Sequence, residues 1–134
     1  MREIKFRAKQ LNDNNWISGY GVIIGDGFCA IPYAIRGNTH DWKLTTITCD
    51  INTLGQYTGL KDKNSKEIYE GDIILWRNEK YVVKFLSGMF YASVEEFNKD
   101  VYGGFPLWSL VEYHDEPDCG VIVGNIYEYK EEEK

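Results

Sequence analysis

The chain is poor in the residue types from which most active sites are built. It has only two histidines, His40 and His114, and three cysteines, Cys29, Cys49 and Cys119, odd in number and far apart in the chain. No HExxH, CxxC or EF-hand spacing occurs, so neither a metal site nor a cofactor is expected. The segment from His114 to Cys119 holds ligand-type residues without ligand spacing and reads as a surface loop, as does His40-Asp41. No serine lies in a G-x-S-x-G elbow. Gly19-Tyr20-Gly21 and Gly25-Asp26-Gly27 open no helix, which excludes a phosphate loop. No catalytic residue is assigned, and no enzyme activity is expected. The odd number of dispersed cysteines does not suit a secreted disulfide framework and points to buried thiols in a reducing compartment. The opening MREIKFRAKQ lacks the apolar stretch of a signal peptide. Apolar runs are only a few residues long, far short of the roughly 20 that cross a bilayer, so no membrane is expected as partner.

Aromatic residues are abundant instead. Ten tyrosines and four tryptophans in 134 residues exceed what a minimal core needs. They suit a sheet-rich protein, with some rings left for rims and contact surfaces. Charge is uneven. Residues 1–55 carry six basic and five acidic side chains, residues 56–134 nine and sixteen. The acidic second part repels phosphate backbones and anionic membranes at long range.

Residues 3–8 alternate Ile4 and Phe6 with Lys5 and Arg7, the period of a half-buried strand. Strands are expected near 20–24 and 28–31 around a glycine turn at 25–27, and again at 43–50. Beyond residue 52, two apolar elements flank a polar turn from Lys61 to Lys66. Asp62, Asn64 and Ser65 there supply turn hydrogen bonds and tolerance of positive φ. Short turns then separate strands at 72–77, 80–86, 89–92, 107–113 and 121–127, with Gly88 and Gly124 as bend or bulge positions. One helical turn is expected around Glu95–Asn98, and no helix longer than about two turns. Five short strands in so few residues suit a small closed barrel, because closure removes exposed edges. The expected class is mainly β. It comprises an N-terminal β region at 1–52, a small barrel domain at 53–130 and a disordered acidic tail at 131–134.

The segment QYTGLKDKNSKEIYEGDII at 56–74 resembles the signature of the YopX family of phage and prophage proteins. Arg2-Glu3-Ile4-Lys5-Phe6-Arg7 at the start and Ile122-Val123-Gly124-Asn125-Ile126-Tyr127-Glu128 near the end are similar to that family's termini. The resemblance implies an N-terminal β region followed by an SH3-like barrel, encoded by a phage or prophage and working in the cytoplasm of a bacterial host. It carries over no catalytic residue. Ala8-Lys9-Gln10 departs from the family's usual Ala-Trp-Asp, and Ser65 stands where glycine is usual. Physically the signature reads as structural. Gly59 and Gly71 suit turns, Asp72 can close the Gly71 turn, and Tyr57, Leu60, Ile68 and Tyr69 are spaced to cover a core. Glu67 and Glu70 are expected to face solvent.

The leading functional expectation is a non-enzymatic accessory protein acting by protein–protein contact with a partner the residues do not identify. Homo-oligomerisation is expected, because short strand edges are covered when subunits pair. The alternative is nucleic-acid binding. Its candidate residues are Lys5, Arg7 and Lys9, a period-two basic stripe, together with Lys61, Lys63 and Lys66 in the polar turn. Glu67, Glu70 and Asp72 beside that turn would largely cancel its field.

Overall fold

The computed structural model describes residues 3–36, 41–94, 96–98, 103–112 and 119–129. His40, the loop from His114 to Asp118 and the tail at 131–134 lie outside the described residues. The chain divides into two compact units, Met1–Tyr57 and Thr58–Lys134.

In the first unit, β1 (Phe6–Lys9) pairs antiparallel with β2 (Trp16–Gly19). A short strand, β3 (Ile23–Ile24), turns through Gly25–Phe28 into β4 (Cys29–Arg36), and β4 pairs along its whole length with β5 (Trp42–Cys49). The turn is closed by Gly25 N–H donating to the Phe28 carbonyl at 3.0 Å, with Gly27 at φ 81°. After β5, Asp50 caps a 3-10 turn at Ile51–Thr53 by accepting the Asn52 N–H at 3.0 Å. β6 (Gly55–Lys61) then starts alongside β1, with Arg7 opposite Gly55 and Phe6 opposite Gln56.

The period-two reading of the opening strand explains its packing. Ala8 is fully buried, while Arg7 and Lys9 share the opposite face. The core of this unit is small: Ala8, Cys29, Ile31 and Cys49, with Ile17, Val22, Ile47, Ile51 and Leu54 around them. Cys29 and Cys49 face each other across the sheet as free thiols. Burial pushes both above the ordinary 9.0, so they stay protonated and behave as small apolar side chains.

In the second unit β6 turns back into β7 (Glu67–Tyr69), and a tight turn at Gly71 leads into β8 (Asp72–Trp76). β9 (Glu79–Leu86) and β10 (Met89–Ser93) continue the meander, β11 is Gly104–Pro106, and β12 is Val121–Asn125. The sheet order is β11-β10-β9-β8-β12. β12 carries a bulge between Ile122 and Gly124, and Gly88 turns at φ 80°, so both glycines serve as bend or bulge positions.

Two expectations are corrected here. The sheet is open, so residues 53–130 form no SH3-like barrel: β11 and β12 are its two edges and do not pair with each other. The strand expected at 107–113 is also absent over its described residues. Trp108–Val111 is instead a single helical turn, α1. Leu107, Leu110 and Val111 recur at helical spacing and all enter the core with Ile68, Ile74, Tyr81 and Val83. The segment needed to close a barrel covers the sheet rather than extending it.

The polar turn of the second unit is built around one carboxylate. Asp62 is 1% exposed. Its Oδ1 accepts the Asn64 and Lys66 N–H groups at 2.9 Å each, and its Oδ2 accepts the Ile122 N–H at 2.9 Å. Asp62 therefore ties the β6–β7 turn to β12. Asp72, also buried, accepts the Tyr69 N–H at 2.8 Å and closes the turn in which Gly71 stands at φ 90°. Glu67 and Glu70, expected at the surface, are half-buried.

Ser65 adopts φ 62°, where a Cβ crowds the backbone. Ser65→Gly is expected to leave the turn intact and raise stability by about 0.5–1 kcal/mol, because relief of that strain exceeds the added freedom of the unfolded chain. A urea midpoint that falls would show that the serine hydroxyl holds a bond the turn needs.

Candidate functional site

Two surfaces of the first unit gather the side chains capable of recognition. The first is the basic face of the opening strand. Lys5 precedes β1, and its ammonium lies 3.2 Å from Glu3 Oε1 and 5.1 Å from the centroid of the Tyr57 ring. Tyr20 is a second ring beside it, at 5.8 Å. The Arg7 guanidinium sits 4.7 Å from the centre of the Trp16 ring, and the Lys9 ammonium 5.6 Å from the same ring. Register causes this gathering: Lys9 is directly opposite Trp16, and Arg7 is one diagonal step away. Cation–π attraction of this kind is worth about 0.5–1 kcal/mol at an exposed site. The stripe of Lys5, Arg7 and Lys9 therefore exists on one face, but each cation is already engaged by a ring of its own unit.

Lys61, Lys63 and Lys66 belong to the second unit and surround the Asp62 turn with exposed side chains. Their backbones are fixed: Lys66 N–H donates to Asp62 Oδ1, and Lys63 N–H donates to the Gly120 carbonyl at 3.0 Å. The order here comes from Asp62 and serves the turn.

The second surface was not singled out from the residues. It is the outer half of the β4–β5 ribbon. Near Cys29 and Cys49 the ribbon is buried on its inner face, but towards Arg36 and Trp42 it runs beyond the core. Trp42 is 65% exposed and Leu44 75%, and alternation puts both on one face. Tyr33 is exposed on the other face. The outer edge of β5 is open for part of its length. Among the described residues only its inner end is covered, where Leu11 N–H donates to the Thr48 carbonyl at 3.2 Å beside an isolated bridge from Gln10 to Cys49. An open cleft of about 420 Å³ lies along this edge, lined by Gln10, Leu11, Asn12, Thr46, Ile47 and Thr48. The signal in the sequence was an alternation in WKLTTITC that leaves Trp42 and Leu44 on the polar phase of the strand.

Among the described residues, no group of three or more histidine, cysteine, aspartate or glutamate side chains converges as a metal site. No helix there is long and apolar enough to cross a membrane.

The sequence profile of the YopX protein family matches residues 5–131. The fold is similar to the crystal structure of protein EF1440 from Enterococcus faecalis, with a TM-score of 0.57 and 22% identity over 93% of this chain and 94% of that one. No functionally curated protein matches the chain.

Proposed function

Because the chain belongs to the YopX family of phage and prophage proteins, we propose that it is a non-enzymatic accessory protein that works by protein–protein contact in the bacterial host cytoplasm. The observation that carries this reading is the pair Trp42 and Leu44, two large apolar side chains exposed on one face of a ribbon that outruns its own core. A lone exposed leucine is ordinary, whereas adjacent exposed apolar residues beside an open strand edge mark a contact surface. Tryptophan is also the residue type most enriched where partners bind tightly.

Nucleic-acid binding through Lys5, Arg7 and Lys9 is less well supported. Single-strand binders stack bases on exposed rings beside unengaged cations. Here the Trp16 ring already carries Arg7 and Lys9, and the Lys5 ammonium is shared between Glu3 and two tyrosines. A base would have to displace these contacts.

The test is site-specific photo-crosslinking in the bacterial host, with benzoylphenylalanine at position 42 and, separately, at position 63. Protein adducts from position 42 and none from position 63 are expected. Nuclease-sensitive adducts, or equal yields at the two positions, would overturn the reading.

A further inference from the structure

The open edge of β5 has a definite geometry. Thr48 turns its carbonyl away from β4, since that carbonyl accepts the Leu11 N–H. The β4–β5 register runs unbroken from Cys49 to Trp42, and backbone groups alternate sides along a strand. The N–H and C=O of Thr46 and Leu44 therefore also point outward. Among the described residues no strand pairs with them there. An exposed, flat edge rich in β-branched residues is a template for another strand.

We propose that this edge pairs antiparallel with β5 of a second copy of the chain, centred on Leu44 against Leu44. The inference rests on the contact reading above and names the partner. Three features favour a copy over a foreign strand. First, the register is self-consistent. With Leu44 opposite its counterpart, the two exchange both backbone hydrogen bonds as a directly opposed pair does. Lys43 then stands opposite Thr45, so no like charges meet across the ladder. Second, the same register sets Trp42 of each copy opposite Thr46 of the other, at the mouth of the cleft that Leu11 and Ile47 line. Each copy supplies one ring and one cleft, as a two-fold interface requires. Third, charge does not oppose the approach through this unit: residues 1–57 carry six basic and five acidic side chains, and the excess acid lies in residues 58–134.

Pairing also changes the ribbon itself. A two-stranded ribbon exposed on both faces is marginal in water. Joined through β5, the β4–β5 pairs of both copies become the centre of a continuous sheet. Leu44, Leu44 and the two Trp42 rings then form one apolar strip on a single face.

The experiment is sedimentation equilibrium of the full chain from low micromolar to about 100 µM. The wild-type mass is expected to rise to twice the 15.6 kDa of one chain. Leu44→Lys and Leu44→Glu alone are each expected to remain at single-chain mass, since each sets like charges face to face at the two-fold axis. Mixing the two variants is expected to restore the doubled mass as a heterodimer, which also reports that both variants are folded. Thr46→Pro removes an outward N–H that no described strand uses, and it is expected to halve the mass without unfolding the unit. A wild-type chain that stays at single-chain mass throughout, or a Leu44→Lys variant that still doubles, would overturn self-pairing. The crosslinks at position 42 separate this from failure of the broader reading. An adduct of two chains supports self-pairing, and an adduct of any other protein mass rejects it while leaving a contact role in place.

Discussion

Asp62→Ala is expected to lower the stability of the Thr58–Lys134 unit by about 3–5 kcal/mol, a large part of what a domain of this size possesses. The alanine removes a carboxylate that accepts three backbone N–H groups, two from the turn and one from Ile122 sixty positions away. Hydrogen bonds to an ionised acceptor contribute about 1.5–3 kcal/mol each, and a buried donor left without one carries its own desolvation cost. The loss falls below a simple sum because the turn donors can reach water once the turn loosens. Asp62→Asn separates geometry from charge. It keeps one acceptor oxygen for the turn but aims an amide N–H at the Ile122 N–H, so it is expected to cost about half as much. Urea unfolding followed by tryptophan fluorescence reads both. With a slope of about 2 kcal/mol per molar, the alanine midpoint should fall by about 2 M. A shift of a few tenths would show that Ile122 and the turn are held by other means.

Gly104→Ala is expected to cost about 2–3 kcal/mol through overpacking rather than lost contacts. A Cβ built on Gly104 falls inside the carbonyl of Ala92 and within 2.9 Å of its carbon and 3.1 Å of the Ser93 Cα. These are backbone atoms of β10 and cannot rotate aside. β11 must therefore move off the sheet edge. Leu107 follows directly, with its amide donating to the Phe90 carbonyl at 3.0 Å and its side chain fully buried. The lesion should spread to the helical turn that carries Leu110 and Val111. Gly88→Ala is the control, because nothing lies within 4 Å of its added Cβ and only φ 80° resists it. That variant is expected to cost about 1 kcal/mol. Hydrogen exchange at the Leu107 amide distinguishes the two. It should accelerate strongly in the Gly104 variant and little in the Gly88 variant, and equal protection in both would refute the clash.

Much of the second unit was legible because its structure is local. Ile73–Trp76, Tyr81–Phe85 and Met89–Ala92 are short apolar stretches separated by turn residues, and short turns force antiparallel neighbours. Asp62, Asn64 and Ser65 announce a turn because their side chains can satisfy their own backbone, and Ser65 does stand at positive φ. The described part of the segment expected as a strand at 107–113 is helical for an equally local reason. A short apolar run fits either period, and the spacing of Leu107, Leu110 and Val111 is the helical one. Reading it as a strand puts a barrel stave where the chain forms a helical turn, whereas the fifth strand of the open sheet lies just before it, at Gly104–Pro106.

The sequence by itself determined the mainly β character, the family, the turn chemistry around Asp62 and Asp72, and the alternation that sets Lys5, Arg7 and Lys9 on one face. Each follows from neighbours within a few residues, where side-chain period and turn preference act without help from distant parts of the chain. The tertiary structure alone decided that the sheet stays open, that Asp62 reaches Ile122, that Trp16, Tyr20 and Tyr57 engage the basic stripe, and that the Trp42–Leu44 edge is left exposed. Those outcomes depend on which strands meet and in what register. Such pairings join residues far apart in the chain, and many arrangements of similar local quality compete for them until the core is packed.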